Sequence, residues 1–304
     1  MSASRYPPPL FILGSPRSYT SLVCAMLGQH PGCYGVPELN LFTADRLQNL
    51  VEEYAGYRQI QLHGLLRTVA QLYGGEQSLL SIDMAHRWIL ARLQRTTADV
   101  YRELCRKVAP LRIVDKSPVY VESVENLKRL QKAFPGAFYL HLVRHPRRQG
   151  ESVMNVAKGM IAVMANSIDY STEPPTVDPQ ISWYEVQRNI SGFLKRIPPE
   201  RQLCMRGEDV LNGPREKLSE VCRWLGIDHG EQALDDMLHP ERSPFASLGP
   251  VGAHLGNDLG FLKSPAFRPG SVDVPALDGP VPWRGDGQGL QDRVIAVARE
   301  LGYR

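Results

Sequence analysis

Along the chain, short solid apolar runs alternate with longer amphipathic stretches. "LFIL" (10–13) is the first solid run, and its length suits a strand buried on both faces. Leu22, Val23, Ala25 and Met26 then recur with helical spacing until Gly28 and Pro31. "LRIVD" (111–115) predicts a second strand, and "ESVENLKRLQKAF" a helix that Pro135-Gly136 stops. "FYLHLV" (138–143) predicts a third strand, with "PRRQGESVMNVA" helical after it. "QLCMR" (202–206) predicts a fourth, and "PREKLSEVCRWLG" a helix with proline at its start and glycine at its end. Strands alternating with helices predict an α/β fold: one domain over residues 1–304, with a parallel sheet flanked by helices.

Two regions interrupt the alternation. Residues 45–110 are helical in spacing almost throughout and predict an inserted helical layer. Residues 240–289 are rich in Pro, Gly, Ser and Asp and have no period. A loop that long inside a domain is usually functional, and this one is expected over the site.

Composition narrows the function classes. A net charge of +3 with no Lys/Arg run gives no footprint for nucleic acid. No window nears the ~18 apolar residues of a membrane span, and "MSASRYPPP" lacks the apolar core of a signal peptide. Five scattered cysteines form no zinc spacing. These features predict a reduced, cytoplasmic protein without a metal site.

The candidate chemistry begins at "GSPRSYTS" (14–21), a loop of small and polar residues between the first strand and its helix. Free N–H groups at the positive end of a helix dipole favour phosphate or sulfate. Arg17, Ser18, Thr20 and Ser21 add donors. An ordinary serine-capped helix is the plainer alternative. The loop departs from the nucleotide-hydrolase pattern G-x-x-x-x-G-K-S/T, with Tyr19 at the second glycine and Thr20 at the lysine. Tyr19 is expected in the first helical turn at negative φ, its ring turned onto a neighbouring element or the acceptor mouth. Asp115 could imitate a magnesium-holding strand end, although Lys116 beside it would compete with the metal. A P-loop kinase or NTPase is therefore an alternative. A second signal is "LVRHPRRQGESVMN" (142–155), in which Arg144 ends a strand and Ser152 lies two turns into the next helix, placed to grip one phosphate. A solvated basic turn explains it equally when taken alone.

Together the two signals resemble the sulfotransferase family, which uses 3′-phosphoadenosine 5′-phosphosulfate (PAPS) as donor. The resemblance extends through "HPGCYGVPEL", "VDKSP", "NISGFLKRIPPER" and "REKLSEVCRWLGI" to the closing "ELGY". It is nearer the bacterial and tyrosyl-protein types than the cytosolic phenol type, and "PELNLF" is similar to sulfotransferase domains of polyketide assembly lines, such as the curacin type. It implies a P-loop-like fold and a role in secondary metabolism. It also implies a donor 5′ end held by Arg17, Ser18, Tyr19, Thr20 and Ser21, with the 3′-phosphate held by Arg144 and Ser152. Glu38 would be the general base, shielded from water by Val36, Pro37 and Leu39; a glutamate at a helix start is the plainer alternative. Lys116 would stabilise the leaving phosphate; the alternative for it is a surface lysine paired with Asp115. His254 is the other candidate base, and His141, inside a strand, reads as a core residue. Residues 155–182 would flank the acceptor, a hydroxyl on a small molecule or on a carrier-bound acyl chain. No metal is implied. A binder that kept the fold without catalysis is the remaining alternative.

Overall fold

β1 (Leu10–Leu13) runs into the 14–19 loop and α1 (Thr20–Gly28), and β2 (Cys33–Gly35) follows. The computed structural model describes residues 6–304; "MSASR" at 1–5 lies outside the described residues. The helical region holds α2 (Leu47–Glu53), α3 (His63–Val69), α4 (Leu79–Leu90) and α5 (Thr97–Val108). Next come β3 (Arg112–Asp115), α6 (Val124–Ala133), β4 (Phe138–Val143) and α7 (Pro146–Met154). A short α8 (Met160–Met164) and a hairpin of two-residue strands, β5 (Ile168–Asp169) with β6 (Thr176–Val177), lead into α9 (Pro179–Leu194). The chain closes with β7 (Gln202–Arg206), α10 (Gly207–Asn212), α11 (Pro214–Leu225), α12 (Glu231–Met237), α13 (Leu259–Lys263) and α14 (Asp292–Glu300).

β2, β3, β1, β4 and β7 form one sheet in that order, and every pairing is parallel. β1 is central, with Leu10 in register with Val114 on one side and Phe138 on the other. Its alternation divides the core. Phe11 and Leu13 join the cluster under the helical region, while Leu10 and Ile12 join the cluster under α1 and α11. Burial on both faces explains why the run is solidly apolar. Phe11 is fully buried and meets the rings of Phe42, Tyr101 and Tyr139 at 5.5–6.1 Å.

Local signals set the helix ends. Ser78 and Ser81 form a reciprocal capping box on α4. Asp178 caps α9 ahead of Pro179, and Gly226 ends α11 at φ 66°. α7 starts at Pro146 as the pattern predicts but ends at Met154, short of the run to Ala157. The expected strands all form. β2, only three residues long, has too short a pattern to be read from sequence.

Candidate active site

The 14–21 loop sits at the carboxyl end of β1, where open α/β sheets place ligands. Gly14 is required there, because a Cβ on it would lie 2.5 Å from the Leu142 carbonyl of β4. Gln149 on α7 donates to the Pro16 carbonyl at 2.9 Å, and Gln187 on α9 donates to Ser15 Oγ at 3.1 Å. Gln187 also bonds His141, which is buried, with its pKa lowered by burial to about 4, and so belongs to the core.

Tyr19 departs from expectation. It is the N-cap of α1 at φ 62°, ψ 9°, in left-handed geometry, and not in the first helical turn. Arg17 is left-handed as well, at φ 69°. The two positive φ angles turn the chain back on itself between strand and helix, a task usually left to glycine. The expected packing of the ring is present. It lies under the Arg144 guanidinium, 4.4 Å from centroid to Cζ, and against Gly207. Burial pushes the Tyr19 phenol up from its ordinary value, with Arg144 opposing.

The two sequence signals meet in space. Arg144 donates to the Arg17 carbonyl at 2.6 Å, and Arg17 Nε donates to Ser152 Oγ at 3.0 Å. Trp183 on α9 fixes the Arg144 carbonyl at 3.0 Å. Asp258, from the long 240–289 loop, pairs with Arg17, and its N–H donates to Ser21 Oγ at 3.3 Å. Burial raises the Asp258 carboxyl, but the Arg17 guanidinium and the Phe261 N–H outweigh it and hold the group below the ordinary aspartate range. A cavity of about 200 Å³ opens here, lined by Arg17, Ser18, Tyr19, Thr20, Arg144 and Asp258 among others. Ser18 Oγ and Arg144 Nε are buried in its wall without a hydrogen-bond partner. Unpartnered buried donors are costly, so they point to a ligand anion.

Glu38 and Lys116 form a pair at 2.5 Å. Lys116 is 1% exposed and does not bridge to Asp115, which corrects the alternative of a surface lysine paired there. Asp115 accepts instead from Ser117 at 2.8 Å and Tyr120 at 3.2 Å. Those hydroxyls in turn accept from the N–H groups of Asn40 and Leu41, both at 3.1 Å. The end of β3 therefore holds the segment that carries Glu38. Burial raises the Asp115 carboxyl to about 7.

Two glycines complete the clasp on Glu38. A Cβ on Gly64 of α3 would sit 2.0 Å from the Glu38 carbonyl oxygen. Gly256, at φ 102°, lies so close to Gly64 that a Cβ would come within 2.7 Å of its Cα, and its carbonyl accepts from the Glu38 N–H at 2.7 Å. Gly64, Gly256, Gly207 and Asp258 were missed by the sequence reading. Gly64, in the middle of a helical pattern, was the legible hint, since such a glycine often marks a close approach. His254 is exposed and bonds the Gly249 carbonyl of its own loop at 2.9 Å. Among the described residues no group of three His, Cys, Asp or Glu could hold a metal, and no helix is long and apolar enough to cross a membrane.

A parallel sheet whose central strand opens into a short polar loop and a helix N-terminus defines a P-loop-like α/β protein. Within that class the chain belongs to the sulfotransferase family, whose family model matches residues 8–231. Among solved structures it is similar to the sulfotransferase domain from the curacin biosynthetic pathway, at 25% identity and TM-score 0.78, covering 98% of each chain. It is also similar to the sulfotransferase domain of the Synechococcus PCC 7002 olefin synthase, at 26% identity and TM-score 0.74, covering 100% of this chain and 98% of that one. No curated protein matches.

Proposed function

We propose that the protein transfers a sulfuryl group from PAPS to a hydroxyl acceptor on a small molecule or a carrier-bound acyl chain. The observation that carries this is the meeting of two arginines, Arg17 and Arg144, with unpartnered buried donors at Ser18 Oγ and Arg144 Nε, in a fold that also pairs a carboxylate with a buried ammonium at Glu38 and Lys116. Arg17, Ser18, Tyr19, Thr20 and Ser21 would hold the 5′ end of the donor, and Arg144 with Ser152 its 3′-phosphate. When bound, the donor supplies an activated sulfuryl group on a phosphate that can leave.

The chain's own residues do the rest. Glu38 accepts the proton of the acceptor hydroxyl, a task for which a carboxylate must be positioned and partly desolvated. Lys116 brings positive charge to the bridging oxygen as it gains electrons, and its burial strengthens that interaction. The Glu38–Lys116 bond keeps both side chains aimed before substrates enter. Residues 155–182 are proposed to border the acceptor; Met160, Val163 and Met164 present apolar surface there. The experiment is incubation with isotopically labelled PAPS and a panel of hydroxyl acceptors, read by mass spectrometry. Sulfate gain that depends on Glu38 supports the reading. Phosphate gain from ATP in the same panel, without sulfate gain, would replace it by phosphoryl transfer.

A further inference from the structure

We infer that Tyr19 is a positioning residue for Arg144, and that Gly207 exists as the socket for its ring. The inference rests on the reading of Arg144 as the 3′-phosphate contact. Tyr19 sits at φ 62°, a conformation unfavourable for a residue with a Cβ. Something specific must hold a tyrosine there, and its contacts show what does. The ring faces the Arg144 guanidinium at 4.4 Å. On its other flank, a Cβ at Gly207 would lie 2.6 Å from Tyr19 Cδ2. Gly207 is not among the positive-φ glycines, so its backbone does not demand glycine. What demands it is the ring.

The geometry leaves Arg144 ready for an anion. A ring stacked on the face of a guanidinium fixes its plane and leaves the N–H edges free. One edge of Arg144 is spent on the Arg17 carbonyl at 2.6 Å, while Nε is buried with no acceptor. The acidic groups around it are engaged elsewhere: Asp258 pairs with Arg17, Glu151 with Arg148, and Glu208 accepts from Tyr303 at 2.8 Å and the His145 N–H at 2.9 Å. The ring therefore orients the arginine without neutralising it, as a carboxylate would. Tyr19 and Gly207 act as one unit across about two-thirds of the chain.

Calorimetry with 3′-phosphoadenosine 5′-phosphate and with 5′-AMP tests this through their affinity ratio. Wild type should prefer the first nucleotide. Tyr19→Leu should cut that preference about tenfold. Tyr19→Phe, which keeps the ring, should retain the preference within about threefold, and Gly207→Ala should reproduce the loss. In an Arg144→Gln background Tyr19→Leu should change nothing further. If wild type lacks the preference, the donor reading fails and this inference with it. If wild type has the preference and Tyr19→Leu and Gly207→Ala both keep it, this inference alone is overturned. Should Tyr19→Leu not fold, Gly207→Ala and the Arg144→Gln pair decide the matter in the same way.

Discussion

Replacing Glu38 by glutamine should separate chemistry from stability at the centre of the site. The change is nearly isosteric, but it removes the proposed base and leaves Lys116, 1% exposed, facing a neutral amide. Loss of a positioned general base lowers kcat by about 10²–10⁴. Breaking a fully buried ion pair costs about 3–5 kcal/mol. Here the Glu38 side chain is 24% exposed and glutamine still offers Lys116 an amide oxygen, so about 1–3 kcal/mol is the better figure. For a chain of this size that is a fall in Tm of several degrees. Adding Lys116→Met should restore most of the stability, because the unpaired buried charge is gone, and should leave kcat low. Initial rates on each variant, paired with thermal melts, read both quantities. Near-normal turnover in Glu38→Gln would refute the reasoning, place the base elsewhere and make His254 the next residue to test. A double variant less stable than the single one would show that Lys116 has other compensation.

Three further outcomes follow from the geometry. At position 19 the Gly variant should be more stable than the Ala variant by about 1 kcal/mol in urea titration, because only glycine relieves a left-handed φ; helical geometry would give the opposite sign. The Asp115 carboxyl, raised by burial to about 7, holds its proton more tightly than the unfolded chain, where it titrates near ~3.9. Its stabilising contribution is complete below about pH 4 and is lost as pH rises through 7, so Asp115→Asn should flatten the fall in unfolding free energy across that window; identical slopes in both proteins would count against it. Gly64→Ala drives a methyl against the Glu38 carbonyl and should lower kcat at least about tenfold with circular dichroism retained, since about 1 Å of misplacement can cost as much as a hundredfold; wild-type kcat would mean the clasp does not position Glu38.

The sheet was legible because β1, β3 and β4 are short, largely apolar and buried, and a helical pattern follows each of them in sequence. The 14–21 loop, Arg144, Ser152, Glu38 and Lys116 stood out because strand ends and helix starts are local features. The partnerships were not legible. Lys116 faces Glu38 across 78 positions, and Arg17 faces Asp258 across 241. The local rule that a non-glycine residue avoids positive φ gave the wrong conformation for Tyr19. Tertiary packing against Arg144 and Gly207 overrides it, and neither is near Tyr19 in sequence. The role of the 240–289 segment was likewise hidden, since Asp258 and Gly256 act through contacts with α1, α3 and the Glu38 segment.

The donor claim can be tested without knowing the acceptor. Isothermal titration of the wild-type protein with 3′-phosphoadenosine 5′-phosphate and with 5′-AMP isolates the 3′-phosphate. A charge-assisted contact of about 1.5–3 kcal/mol predicts tenfold to hundredfold tighter binding of the first nucleotide, and Arg144→Ala should abolish that difference. Equal affinities for the two nucleotides in the wild-type protein would contradict the account.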